Sequence, residues 1–149
     1  MGRKAEAVRF FNEGNNCAQS VLKAFRDIAG LQEETAAALA AGFGGGISGR
    51  RETCGTLSAL TMIAGILEGN YPVTDNKMKT EFYNKVKKCF SIFEGKFGTS
   101  NCKELLQKAN CIVKSDPSER TPEYYSKRPC GVFILEAVEI LEKEFGIED

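Results

Sequence analysis

The chain contains no histidine among its 149 residues. That excludes imidazole general bases, histidine-assisted nucleophiles, histidine-ligated haem and mixed cysteine–histidine zinc sites. Net charge is missing too, since twenty basic side chains balance twenty acidic ones. Without a basic excess, nothing points to nucleic acid or to an acidic membrane surface as a partner. No uncharged apolar run approaches the ~20 residues that span a bilayer. The longest, residues 55–67, stops well short. Residues 1–13 are charged throughout and hold no apolar export segment, and Glu6 stands where myristoylation of Gly2 would need Ser or Thr. The expectation is a cytoplasmic protein. Period-2 alternation of apolar and polar residues is nearly absent, which argues against strands. Cysteines never occur as C-x-x-C, which argues against thioredoxin-like and zinc-ribbon sites.

What remains is helical. A length of 149 residues suits one domain, 1–149. The apolar spacing predicts helices over about 4–12, 17–29, 33–41, 54–68, 75–97, 102–108 and 129–145. In the second, Ala18, Val21, Leu22, Phe25, Ile28 and Ala29 form one apolar stripe. The fourth is apolar almost all round through Leu57, Leu60, Met62, Ile63, Ile66 and Leu67, which places it at the centre. The fifth is amphipathic through Met78, Phe82, Val86, Cys89, Phe90, Phe93 and Phe97. Residues 42–49 are too rich in glycine to be anything but a loop, and a second loop holds Asp116-Pro117 and Thr121-Pro122. The fold class is therefore all-α: a single-domain antiparallel bundle of about six to seven helices with a Gly-rich loop.

Six cysteines are present, and in a reducing compartment they read as redox or metal residues more readily than as structural disulfides. Four share one setting. Cys17 follows Asn16, Cys54 follows Thr53, Cys102 follows Ser100-Asn101 and Cys130 follows Pro129, so each opens a predicted helix after a capping or first-turn residue. The free N–H groups and dipole of a helix start favour thiolate over thiol. Cations strengthen this: Arg50 and Arg51 precede Cys54, Lys103 follows Cys102 and Arg128 precedes Cys130. By that count Cys54 ranks first as a reactive thiolate. Taken singly, each could equally be a buried, inert thiol. Cys89 reads as core on its apolar stripe, and the sequence leaves the role of Cys111 open.

The glycine loop formally matches G-x-G-x-x-G over 44–49, but it lacks the preceding strand a dinucleotide site needs. It reads first as a plain connector. The alternative is that Gly44, Gly45 and Gly46 with Arg50 and Arg51 form an anion- or cofactor-binding wall beside Cys54.

With these residues in view, the chain resembles the redox-active proteins named for their C-GCAxxG-C-C cysteine pattern. The similar stretches are residues 14–21 (GNNCAQSV), 42–46 (GFGGG), 52–55 (ETCG) and 97–106 (FGTSNCKELL), with Cys130 as the last cysteine. The resemblance covers nearly the whole chain. It places the family cysteines on Cys17, Cys54, Cys102 and Cys130, the same four that capping selects. One departure is Ala59, which stands where the family pattern has glycine, with Thr56 in place of alanine. The resemblance implies redox chemistry without naming a reaction.

Two functions follow. In the first, the four cysteines converge as catalytic thiols or as ligands of zinc or an iron–sulfur cluster, because four bare thiolates together repel one another. A redox partner protein is then expected. In the second, the protein is a helical interaction module whose cysteines only pack. A weaker third reading is an enzyme that binds an anionic substrate on residues 42–51. Oligomeric state is not legible.

Overall fold

The computed structural model describes residues 2–148, so Met1 and Asp149, the ends of the predicted domain, lie outside it. The chain folds into helices α1 (Arg3–Asn12), α2 (Cys17–Ala24), α3 (Arg26–Ala29), α4 (Glu33–Ala40), α5 (Gly44–Ile47), α6 (Gly55–Glu68), α7 (Asn76–Phe97), α8 (Cys102–Lys108), α9 (Pro122–Lys127) and α10 (Cys130–Phe145), with a 3-10 turn at Ala41–Phe43. The protein is all-α. Its seven predicted helices are α1, α2, α4, α6, α7, α8 and α10, and three short segments join them.

The predicted second helix is broken at Phe25, whose φ of −112° and ψ of 17° leave the helical range. α3 then ends on left-handed Gly30. α9 falls in the predicted loop. Thr121 caps it by accepting from the Tyr124 N–H, and Pro122 occupies the first turn, where its missing N–H costs nothing.

α6 is central as expected, packing on α2, α3, α7 and α10. Leu57, Leu60 and Ile63 are fully buried between them. It is not buried all round, because Ile66 near its end is 53% exposed. α7 sits at the periphery and buries only Cys89 and Phe93 completely, while Met78 at its start faces solvent. Phe93, Phe97 and Phe133 form an edge-and-tilt aromatic cluster that fixes α7 on α10. No helix of the described residues is long and apolar enough to cross a membrane.

The glycine loop, the short α5 included, is a left-handed turn and not an ordinary α-helix, since Gly45 and Gly46 within it leave the right-handed helical range. Gly45, Gly46, Ile47, Ser48 and Gly49 all have φ between 51° and 79°. Only glycine adopts that conformation freely, and three of the five are glycine. The reversal closes through Ser48 N–H to Gly42 O at 2.8 Å, Arg51 N–H to Gly45 O at 2.9 Å and Glu52 N–H to Gly46 O at 2.9 Å. It thereby turns the chain back and delivers Cys54 to the start of α6.

Candidate functional site

Each of the four cysteines stands at a helix start. Cys17, Cys102 and Cys130 are the first residues of α2, α8 and α10, and Cys54 is the residue that caps α6. Asn16 fixes Cys17: its side chain accepts from the Gln19 N–H, Gln19 reciprocates on the Asn16 N–H, and the Asn16 amide reaches Ala41 O at 3.1 Å. Asn101 caps α8 by accepting from the Glu104 N–H.

Cys54 and Cys102 are tied together by backbone. Thr53 and Asn101 form an isolated antiparallel bridge. On either side of it the Cys54 N–H donates to Ser100 O at 2.9 Å and the Cys102 N–H donates to Glu52 O. Nothing in helical periodicity announces this pairing, which brings Cys54 and Cys102, 48 residues apart in sequence, to the two sides of one backbone bridge.

The glycines admit the sulfurs. A Cβ on Gly55 would lie 2.6 Å from Cys17 Sγ, and one on Gly46 would lie 2.7 Å from Cys102 Cβ and 2.6 Å from the Glu52 nitrogen. Gly44 leaves no room for a methyl beside Asn16. The Gly45 N–H, with that of Ala18, hydrogen-bonds the Cys17 sulfur. The loop is thus a wall of the cysteine pocket as well as a connector.

Electrostatically the four are one group. Burial pushes the Cys17 thiol up to about 12, and the nearby Cys54 and Cys102 push further in the same direction. Burial likewise raises Cys54 to about 12 against its hydrogen bond with Thr56, with Cys130 and Cys102 adding to the rise. Cys130 is also lifted to about 12 by burial and by Cys17, while Arg128 and Arg120 pull it down. Desolvation and mutual repulsion therefore outweigh the helix-start effect expected from sequence, which is worth only ~0.3–1 kcal/mol.

The ranking of Cys54 as most reactive is corrected by the same geometry. Its side chain is buried, and neither preceding arginine serves it. Arg50 points outward to Glu52 at 3.2 Å, so it forms no part of the predicted wall. Arg51 turns instead to Cys102, its Nη1 donating to Sγ at 3.5 Å while its Nε donates to Lys114 O.

Cys17, Cys102 and Cys130 line a cavity of about 570 Å³, together with Gly44, Gly45 and Arg51 of the predicted wall. Arg120 and Tyr124, which sequence reading missed, and Arg128, read there only as the cation before Cys130, also line it; they come from the loop after α8, from α9 and from the residue that ends α9. Arg120 lies 4.7 Å over the Tyr124 ring and Arg128 lies 5.1 Å from it. The available signal was the Thr121-Pro122 helix start, which turns an apparent loop into a positioned element. Cys89 is fully buried core, as read from its stripe. Cys111 lies outside the cavity, its Sγ 3.4 Å from Lys127 O.

Among the described residues, no group of three or more cysteine or carboxylate side chains is gathered tightly enough to hold a metal ion. Three of the four sulfurs line one cavity and Cys54 is buried next to them, without the set forming a finished cage. Ala59 is fully buried on α6, so the added methyl relative to the family pattern is absorbed in the core.

No curated protein and no solved structure matches the chain. A family match does cover residues 15–144, which hold all four site cysteines, and its description reads "Putative redox-active protein (C_GCAxxG_C_C)". The chain belongs to the C_GCAxxG_C_C redox-active family.

Proposed function

We propose that the protein is a thiol redox carrier in which cysteines of the Cys17, Cys54, Cys102 and Cys130 group cycle between dithiol and disulfide. The observation that carries this reading is their shared electrostatic pocket. Each of Cys17, Cys54 and Cys130 is raised by at least two others of the four, so these three hold protons at neutral pH and give them up when their sulfurs pair.

Cys102 is the best placed nucleophile, because it lines the cavity and receives the Arg51 guanidinium. Its sulfur attacks a disulfide of a partner molecule, forming a mixed disulfide and releasing the first partner sulfur, which takes up the Cys102 proton. Cys17 or Cys130, which line the same cavity, then attacks the Cys102 sulfur. A site disulfide forms, and the second partner sulfur leaves as a thiol. Two electrons pass from the site to the partner, and the reverse sequence reloads it.

Metal or cluster binding is a second reading, favoured by the chemistry of the donor set. Four cysteines that oppose each other's charge suit zinc or an iron–sulfur cluster, with Cys17, Cys54, Cys102 and Cys130 as ligands. The positions of the sulfurs do not fit it as they stand. Holding a metal requires them to draw together.

Thiol titration before and after mild oxidation, with metal analysis of anaerobically purified protein, tests the proposal. The carrier reading expects two thiols to disappear on oxidation and return on reduction in metal-free protein. Stoichiometric iron or zinc moves the assignment to the second reading. Four permanently free, unreactive thiols overturn both and leave a module whose cysteines pack.

A further inference from the structure

The chain has seven arginines. Arg3, Arg9, Arg26 and Arg50 each pair with a carboxylate. Arg51, Arg120 and Arg128 pair with none among the described residues, and these three line the cysteine cavity. Their contacts are to neutral groups: Arg51 to Lys114 O and Cys102 Sγ, Arg120 to Phe11 O, Asn15 O and the Tyr125 hydroxyl, and Arg128 to Ser118 Oγ. All three are partly buried. A desolvated guanidinium without a counter-charge is costly, and a fold that collects three around one cavity leaves a place for an anion. Exposed Asp116 is the one acidic residue of the lining, so positive charge remains in excess.

Size narrows the class. A cavity of about 570 Å³ falls in the range of small organic ligands, roughly 300–1,000 Å³, and is generous for a bare inorganic oxyanion. Tyr124 offers a ring face, and the guanidinium planes match carboxylate geometry.

Building on the thiol-carrier reading, we infer that the electron acceptor is a small acidic disulfide, a low-molecular-weight molecule whose carboxylates are held by Arg51, Arg120 and Arg128 while its sulfur–sulfur bond faces Cys102. The chemistry is the exchange already described. Two site thiols become one disulfide, and the acidic disulfide leaves as two thiols.

The test compares two probe disulfides on the reduced full chain under pseudo-first-order conditions: 5,5′-dithiobis(2-nitrobenzoate), which carries two carboxylates, and uncharged 4,4′-dithiodipyridine. Each rate is divided by that of free cysteine with the same probe, which removes the intrinsic reactivity of the reagents. The expected result is a normalised preference for the acidic probe that shrinks as salt is raised. Arg128→Gln lowers that preference roughly threefold to tenfold, whereas Lys143→Gln, at the far end of α10, leaves it unchanged. Arg128 is chosen because Arg120 also holds two backbone carbonyls near α1. Circular dichroism on Arg128→Gln establishes that it is folded, and Arg51→Gln supplies an independent second variant. Equal normalised rates for the two probes, or a preference untouched by both substitutions, overturn the inference and leave the carrier reading standing. Failure of both probes to react overturns the carrier reading and this inference with it.

Discussion

At the scale of single residues, the absence of a methyl decides as much as the presence of sulfur. Gly55 and Gly46 let Cys17 and Cys102 reach their places, and the Cβ separations of 2.6–2.7 Å leave no room for alanine. Gly55→Ala is expected to displace the Cys17 sulfur, slow site oxidation and lower the unfolding midpoint, because the added methyl also meets the Phe43 carbonyl oxygen at 2.8 Å. Gly46→Ala adds a left-handed strain of about 1–2 kcal/mol to a backbone clash, so it lowers the unfolding midpoint as well. Denaturant unfolding and thiol oxidation rates measured on both variants check these expectations. Accessibility ranks the cysteines the same way. Alkylation of the reduced native protein at neutral pH should label Cys102 ahead of Cys54, whose side chain is buried and whose thiol is held up to about 12. Mass spectrometry of a short pulse of iodoacetamide reads the order directly, and Cys54 labelled first contradicts the site geometry.

Elements were legible in the sequence wherever one physical signal acted alone. The stripe of α2, the apolar α6 and the caps at Asn16 and Asn101 appear where spacing and side-chain chemistry put them. The four cysteines were selected by capping, and the structure sets all four at helix starts. What escaped was tertiary. The Thr53–Asn101 bridge joins segments with no periodic signal, and the direction of Arg51 depends on where Cys102 arrives. Arg120 went unread, and Arg128 was read only as the cation before Cys130, because α9 was not recognised. The capping box at Asn16 carries a test at this scale. Asn16→Ala removes both its N-cap bond and the link to Ala41, costing about 1 kcal/mol and loosening Cys17 against the glycine turn. A second test concerns the clasp between α1 and α3. Arg3 grips both oxygens of Asp27 at 2.7 and 2.9 Å and holds that carboxyl down to about 2. Since the unfolded value is near 3.9, the native state is the weaker proton binder. This stabilisation is therefore complete above pH ~4 and disappears as pH falls towards 2. The carboxylate is exposed, so the amount is under about 1 kcal/mol. Urea midpoints of wild type and Asp27→Asn should differ at pH 6 and converge near pH 2.

For the whole molecule, the bundle works as a frame that brings four distant helix starts to one place. The core does not need the cysteines to be reactive. Leu57, Leu60, Ile63, Ile134 and Val138 fill its centre, Cys54 packs within the same core, and Cys89 serves there as an ordinary small apolar residue. Separate demands on core and site explain why composition reported the fold class so readily and the chemistry only as a class. The direct measurement is disulfide mapping after two-electron oxidation of the reduced protein by a stoichiometric disulfide reagent. The account predicts one bond joining two of Cys17, Cys54, Cys102 and Cys130, with Cys89 and Cys111 both recovered as free thiols after unfolding. A bond that recruits Cys89 or Cys111 in place of that set, or links two molecules with the four left free, would contradict it.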